Sequence, residues 1–394
     1  MSELKGKRLG ILIAMCGLAA SVGIVSNISG LFFEPVSETL DTGRGDVSMS
    51  LTICLLAIAL GGMMSEKLVA PARFKPAILL GMLAQAGCTA LLSLAHSIPV
   101  LYVLNTVRGF ATGVLGFVLV TRILNRWFTK NTGLIASICL GCSGLAASVF
   151  SPPVTVCIRN AGWQKGYLLC AGLIVLMDLP ALTIPFSLSP GTNTGADPAA
   201  RTSPAAGSEK RHAGLLAAGI LISASASAVT AFPQHFPGLS VNYSLSAYHG
   251  SAMLSVCMLS NTGSKLLFGA VADRLGAKAT LRLFAVLILA ALILLFSRSP
   301  AVLILAALLT GFSYGLATVG PVILTRDIFG LSSYDRVYPV LSFAGFISSA
   351  FFASLIGFMY DGSGDYSSSL ILLITVDIVM LGALLYIYGK KRAK

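Results

Sequence analysis

Apolar runs of about 20 residues, separated by short polar breaks, recur along the whole chain, and their length is more informative than any period within them. A helix rises 1.5 Å per residue, so about 20 residues cross the ~30 Å hydrocarbon core of a bilayer. Twelve such runs occur, at roughly 9 to 29, 47 to 64, 76 to 95, 99 to 121, 133 to 157, 166 to 187, 213 to 236, 247 to 271, 281 to 297, 300 to 324, 337 to 360 and 367 to 389. Each is predicted to be a membrane-spanning helix. The one long polar interruption, Ser189 to His212, is rich in Pro, Gly, Ser, Thr and Ala and reads as a flexible linker. It separates six spans (residues 1–188) from six more (residues 213–394), two domains joined by residues 189–212.

Composition agrees with that pattern. With 56% hydrophobic and 11% charged residues and a mean hydropathy of +0.86, the chain has too little polar surface to cover a soluble globule. The formal net charge of +12 would suit a nucleic-acid binder, so the placement of the 27 Lys and Arg decides what it means. With the N-terminus on the cytoplasmic side, 21 of them fall in inner segments, four (Arg44, Arg159, Lys165, Arg298) in outer loops, and Arg108 and Lys265 within spans. This is the positive-inside pattern, and it predicts a multi-pass protein of the plasma membrane with both termini cytoplasmic and no nucleic-acid partner. The basic N-terminus leads into a span with no small-residue cleavage site, so that span is expected to stay as an anchor. The eight cysteines lie in or beside spans, and none is paired in an outer loop, so neither a disulfide framework nor a metal site is expected.

The halves echo one another. Gly109-Phe110-Ala111-Thr112-Gly113 leads to Thr121-Arg122 in span 4, and Gly311-Phe312-Ser313-Tyr314-Gly315 leads to Thr325-Arg326 in span 10. Gly62-x-x-x-Glu66-Lys67 after span 2 matches Gly269-x-x-x-Asp273-Arg274-x-Gly276-x-Lys278 after span 8, with Val69 where the first copy would carry a glycine. That charged turn resembles the cytoplasmic loop signature of the major facilitator superfamily. The fold expected is therefore an all-α membrane protein of twelve transmembrane helices in two pseudo-symmetric six-helix bundles, with a substrate site near the midplane between them. Span 5 ends in Gly144-Leu145-Ala146-Ala147-Ser148-Val149-Phe150-Ser151-Pro152-Pro153, small residues and prolines that allow close approach and a bend.

Within that superfamily, Asn125-Arg126-Trp127-Phe128-Thr129-Lys130 followed by Gly133-Leu134-Ile135-Ala136-Ser137 resembles the monocarboxylate transporter and oxalate/formate antiporter family. So do Ser29-Gly30-Leu31-Phe32-Phe33, Asn261-x-x-x-Lys265-x-x-x-Gly269 and Asp327-Ile328-Phe329-Gly330. The resemblance implies that Lys265 stands where the family carries a substrate-binding arginine. It also exposes departures. Asn261 and Asn27 replace an aspartate and a lysine of eukaryotic members, and span 11 lacks the lysine of oxalate carriers.

The residues themselves point the same way. A charge in hydrocarbon costs at least ~2.5–3.5 kcal/mol on insertion scales, which makes Lys265 a functional candidate. Asn261, four residues earlier, shares its helix face, and an ammonium beside an amide suits a carboxylate. Asp273 is eight residues further, or ~12 Å along a helix, about twice the reach of a lysine stem; snorkelling or a structural ion pair is the alternative reading. Arg108 and Asn105 in span 4, Tyr314 in span 10, Asn27 in span 1 and His235 in span 7 complete the expected substrate set. His235, Asp178 and Asp377 are candidates for carrying a proton, and Asp273, Arg274, Glu66 and Lys67 for a cytoplasmic gate. No His, Asp or Glu constellation of catalytic or metal-binding spacing occurs, so the expectation is a carrier and not an enzyme, with no cofactor. Its partners would be a small carboxylate, a proton or counter-anion, and the lipid bilayer, with no obligate protein partner. An organic anion exchanger and a carrier of another small solute are the alternatives.

Overall fold

The computed structural model describes residues 2–69, 74–128, 132–183, 209–330 and 333–392. Nearly all of them are helical, and no strand occurs among them. The first six spans are Ser2–Ser26, Arg44–Leu68, Phe74–Leu91, Ile98–Leu115 continued by Phe117–Trp127, Thr132–Ala161 and Trp163–Thr183. The second six are Glu209–Val229 continued into Phe236–Asn242, Ala247–Leu275, Ala277–Leu294, Pro300–Thr310 continued through Phe312–Thr318 and Gly320–Phe329, Tyr334–Ser363 and Ser367–Arg392. Most of the expected linker, and Thr129, Lys130 and Asn131 of the span 5 motif, lie outside the described residues.

Most observed spans begin a few residues before the apolar runs, as helices extend into the polar interface, whereas the helices of spans 1, 3 and 9 end at Ser26, Leu91 and Leu294, short of the runs. Span 1 is extended by a 3-10 turn, Ser29–Phe32, and a short helix, Phe33–Leu40. Eleven of the spans are long and apolar enough to cross a membrane; Ala247–Leu275, span 8, is the exception. Its Ser, Thr, Asn and Lys residues lower its hydropathy. Span 5 continues as one helix through Pro152 and Pro153.

Inside each half the helices meet over small residues. Where spans 2 and 4 cross, a side chain on Gly61 would collide with the backbone of Phe110, and one on Gly113 with the backbone of Ile58. Lipid tails are as apolar as leucine, so such close backbone packing supplies the association that hydrophobicity supplies in water. Polar ties add to it. Ser65 donates to the carbonyl of Val114 at 2.7 Å, and Arg122 donates to that of Val69 at 2.7 Å, closing the end of span 2 against span 4.

Between the halves, contact runs through spans 1 and 7, 2 and 11, and 5 and 8. Ser2 and Arg392 share one side of the layer, here called the basic side because Lys67, Arg122, Arg274 and Lys278 lie there. The hydrogen bonds between described residues of the two halves start at the opposite face and reach inward as far as Gly141 and Thr262. The molecule is thus closed on the face opposite its termini.

A junction of spans 1, 5 and 8, and a latch across the far face

Two asparagines that the sequence singles out meet the same turn of span 5. Asn27, just past the end of the span 1 helix, donates from Nδ2 to the carbonyl of Ser143 at 3.4 Å. Asn261 of span 8 rests against Gly144, where a side chain on the glycine would strike Asn261, Thr262 and the backbone of Met258. Thr262 donates to the carbonyl of Gly141 at 3.0 Å. Span 5 can be gripped from both sides because Gly141, Ser143 and Gly144 leave its backbone bare.

Asn261 is buried (1% exposed), and its Nδ2 donates only to the sulfur of Met258 at 3.7 Å, leaving Oδ1 without a donor. One turn along the same helix is Lys265, half-buried and without a hydrogen bond or ion pair among the described residues. Its neighbour Ser264 donates to the carbonyls of Asn261 at 2.9 Å and Gly311 at 3.2 Å, which fixes this part of span 8 against span 10. The junction therefore holds one free ammonium and one unpaired amide oxygen at the level where the halves separate. It can attract an anion and orient it, and it has no group placed for covalent chemistry.

The other intramembrane cation is placed differently. Arg108 is buried (4% exposed), and its Nη2 donates to Oδ1 of Asn105 at 2.6 Å, one turn back on its own helix. The guanidinium lies near Cys54, Cys88, Tyr167 and Cys170, inside the first bundle among spans 2, 3 and 6. Asn105 thus takes one hydrogen bond from Arg108, whose Nε has no partner among the described residues. Tyr314 donates to the carbonyl of Thr230 at 3.0 Å, tying span 10 to span 7 within the second bundle.

His235 is not at a wetted helix end. It is buried (2% exposed) beneath Phe33, Phe232 and Tyr366, and its Nε2 meets the carbonyl of Ala353 at 2.9 Å. Asp178 is fully buried in the first bundle and accepts from Nε2 of Gln85 at 3.3 Å, while its Oδ1 and Oε1 of Gln85 have no partner. Asp377, also fully buried, has no partner for either oxygen among the described residues. Glu66, Lys67, Asp273 and Arg274 are all exposed on the basic side, and none makes an ion pair among the described residues.

On the far face the halves are fastened by residues outside the sequence-derived set. The carboxylate of Asp361, at the end of span 11, accepts from the backbone N–H groups of Arg44 at 2.8 Å and Gly45 at 2.6 Å. It caps the N-terminus of span 2 from the other bundle, where the helix has no side-chain cap of its own. The Arg44 guanidinium pairs with Glu34 at 2.7 Å, donates to Tyr366 at 3.3 Å, and lies 4.2 Å from the Tyr360 ring centre. Deeper in, Gln234 of span 7 accepts from the N–H of Gly30 at 2.9 Å and donates to the carbonyl of Asn27 at 3.0 Å, completing the frayed end of span 1. Thr52 donates to the carbonyl of Ala350 at 2.6 Å. The signal available for this latch was compositional: Arg44 is one of only four basic residues in the outer loops.

A profile of the Major Facilitator Superfamily matches residues 11–264. A crystal structure of a point mutant of the nucleoside transporter NupG superposes with a TM-score of 0.72 at 13% identity, covering 96% of this chain and 100% of that one. A second crystal structure of NupG gives 0.70 at 15% identity, with 97% and 99% covered. These likenesses are of fold. No curated protein matches the sequence.

Proposed function

The chain belongs to the Major Facilitator Superfamily, and from that premise we propose a secondary carrier of small organic anions, in the first place a monocarboxylate moved with a proton by alternating access. The family makes the chain a transporter and not an enzyme. The substrate class rests on one observation, the half-buried and unpaired ammonium of Lys265. An uncompensated charge at membrane depth is expensive, and a bound carboxylate relieves it. A nucleoside, the solute class named for the two similar structures, brings no charge to answer it.

A single carboxylate suits the site better than two. Arg108 lies inside the first bundle, beside Asn105 and Cys54, so the junction itself offers one cation, Lys265. The amide oxygen of Asn261, one turn away, is left to orient the bound acid. No carboxylate stands beside Lys265 to take up the coupling proton, which leaves the substrate itself, His235, Asp178 or Asp377 to carry it. Exchange of one anion for another needs no such group and is the second reading.

The basic side is taken as the cytoplasm and the membrane as the plasma membrane. On that basis the closed far face is the outer one, and substrate would leave toward the inside. Glu66, Lys67, Asp273 and Arg274 lie apart in this arrangement. In the reverse state they would bridge the bundles, taking over from the Asp361 latch.

The decisive experiment is uptake by the purified carrier in proteoliposomes with labelled lactate, pyruvate and formate, with and without a pH gradient. Lys265→Gln is expected to abolish saturable uptake of whichever acid is carried. Wild-type affinity in that variant would overturn the assignment, and counterflow indifferent to the pH gradient would favour exchange.

A further inference from the structure

The eight cysteines are free, and in one place the structure brings three of them together. Cys139-Leu140-Gly141-Cys142 is a C-x-x-C in the middle of span 5, and its two cysteines are three residues apart and so share one helix face. Against them stands Cys16 of span 1. Its sulfur is 3.6 Å from that of Cys139, and the Cys142 thiol is also within hydrogen-bonding reach of it. Cys16 and Cys142 line an apolar groove of about 450 Å³ between spans 1, 5 and 6, whereas Cys139 is fully buried behind them.

The motif also encloses the joint between the halves. Gly141, between the two cysteines, supplies the carbonyl that receives Thr262 of span 8, and Ser143 and Gly144, directly after them, meet Asn27 and Asn261. Any change in how span 1 grips span 5 at this level acts on the point where span 5 touches span 8.

We propose that Cys16, Cys139 and Cys142 form an oxidisable thiol site whose disulfide ties span 1 to span 5 and stiffens the joint with span 8. The oxidant is an organic hydroperoxide, a small apolar molecule that the groove admits from the membrane. Cys16 attacks the terminal peroxide oxygen; an S–O bond forms, the O–O bond breaks, and an alcohol leaves. Cys139 then attacks the Cys16 sulfur; the S–S bond forms, the S–O bond breaks, and water leaves with the Cys139 proton. Two thiols lose two electrons, and the hydroperoxide gains them. Closing 3.6 Å to a bond of ~2.05 Å brings the two sulfurs about 1.5 Å nearer. Cys142, in reach of the same sulfur, allows the bond to exchange onto it, and an external dithiol reverses the oxidation.

The test uses the full chain in lipid nanodiscs with cumene hydroperoxide, followed by mass spectrometry of unreduced peptides. Cys88 and Cys157 are as exposed as Cys16 and Cys142 and serve as internal controls. Expected is a cross-link from Cys16 to Cys139 or Cys142 in most chains, none at Cys88 or Cys157, and its loss in Cys16→Ala. The Cys139→Ala, Cys142→Ala double variant keeps Cys16, removes both partners, and should lose the cross-link too. A Cys16 that stays reduced, or cross-links no more often than the controls, overturns the site. Amide exchange over residues 136–145 and 257–266 should slow several-fold on oxidation and recover with dithiothreitol. A cross-link that leaves exchange there unchanged overturns the coupling to the joint.

Discussion

Removing the carboxylate of Asp361 should open the far face. Asp361→Ala deletes two hydrogen bonds from a charged acceptor to the N–H groups of Arg44 and Gly45, at 2.8 and 2.6 Å, together with the favourable placement of a negative charge at a helix N-terminus. Hydrogen bonds to charged groups are worth about 1.5–3 kcal/mol each when buried, and the helix terminus adds about 0.3–1 kcal/mol. Asp361 itself is exposed, so water replaces part of what is lost, and a net effect of about 2–3 kcal/mol is reasonable. That corresponds to a shift of about 30- to 150-fold in the ratio of closed to open far face. Asp361→Asn keeps one acceptor oxygen and loses the charge, so it should shift the ratio by roughly the square root of that. Pulsed dipolar spectroscopy between bio-orthogonal spin labels at Glu38 and Gly362 in nanodiscs would report the far-face distance distribution directly. A distribution in Asp361→Ala that superimposes on the wild type, in protein with unchanged thermal melting, would refute the claim that this cap holds the halves together.

Other outcomes follow from the same contacts. Gln234→Ala removes two neutral hydrogen bonds across the halves, worth about 0.5–1.5 kcal/mol each, and should shift the same distance distribution less than Asp361→Ala does. Gly144→Val should wedge span 5 away from Asn261 and Thr262; thermal melting of the purified protein should fall, and saturable uptake should be lost even though Lys265 is intact. Asp178→Asn preserves size and hydrogen bonding to Gln85 and should melt within a few degrees of the wild type, whereas Gln85→Leu leaves a buried carboxyl without its donor and should lower stability by about 1–3 kcal/mol.

The membrane-spanning helices were readable largely from hydrophobic length, because the bilayer imposes one dimension on every span; span 8 is the one whose polar residues weaken that signal. Which helix a given face meets was not. Arg108 and Lys265 look alike in sequence, each a lone cation in an apolar run. The structure separates them, because Asn105 lies one turn from Arg108 and accepts a hydrogen bond from it, while nothing among the described residues accepts from Lys265. His235 reads as interfacial from its position near a span end, but the 3-10 turn Phe232–His235 carries it inward under three aromatic rings. The far-face latch was hidden for a different reason. Its main partner is the backbone N–H of Arg44, and backbone groups leave no mark in a sequence. Asn27 and Asn261, 234 positions apart by their numbers, are brought to one turn of span 5 only by the packing of small residues.

Span 8 has a further consequence at the moment of synthesis. A segment enters the bilayer from the translocation channel according to its own transfer free energy, and Ala247–Leu275 is the one span whose composition does not meet that demand by itself. The serines, asparagine and lysine that suit it to a polar interior make it a poor client for insertion alone. Its neighbours, Glu209–Val229 before it and Ala277–Leu294 after it, are strongly apolar and can draw it in as part of a hairpin. The order in which the second half is threaded into the membrane is therefore constrained by the same side chains that are proposed to hold the substrate.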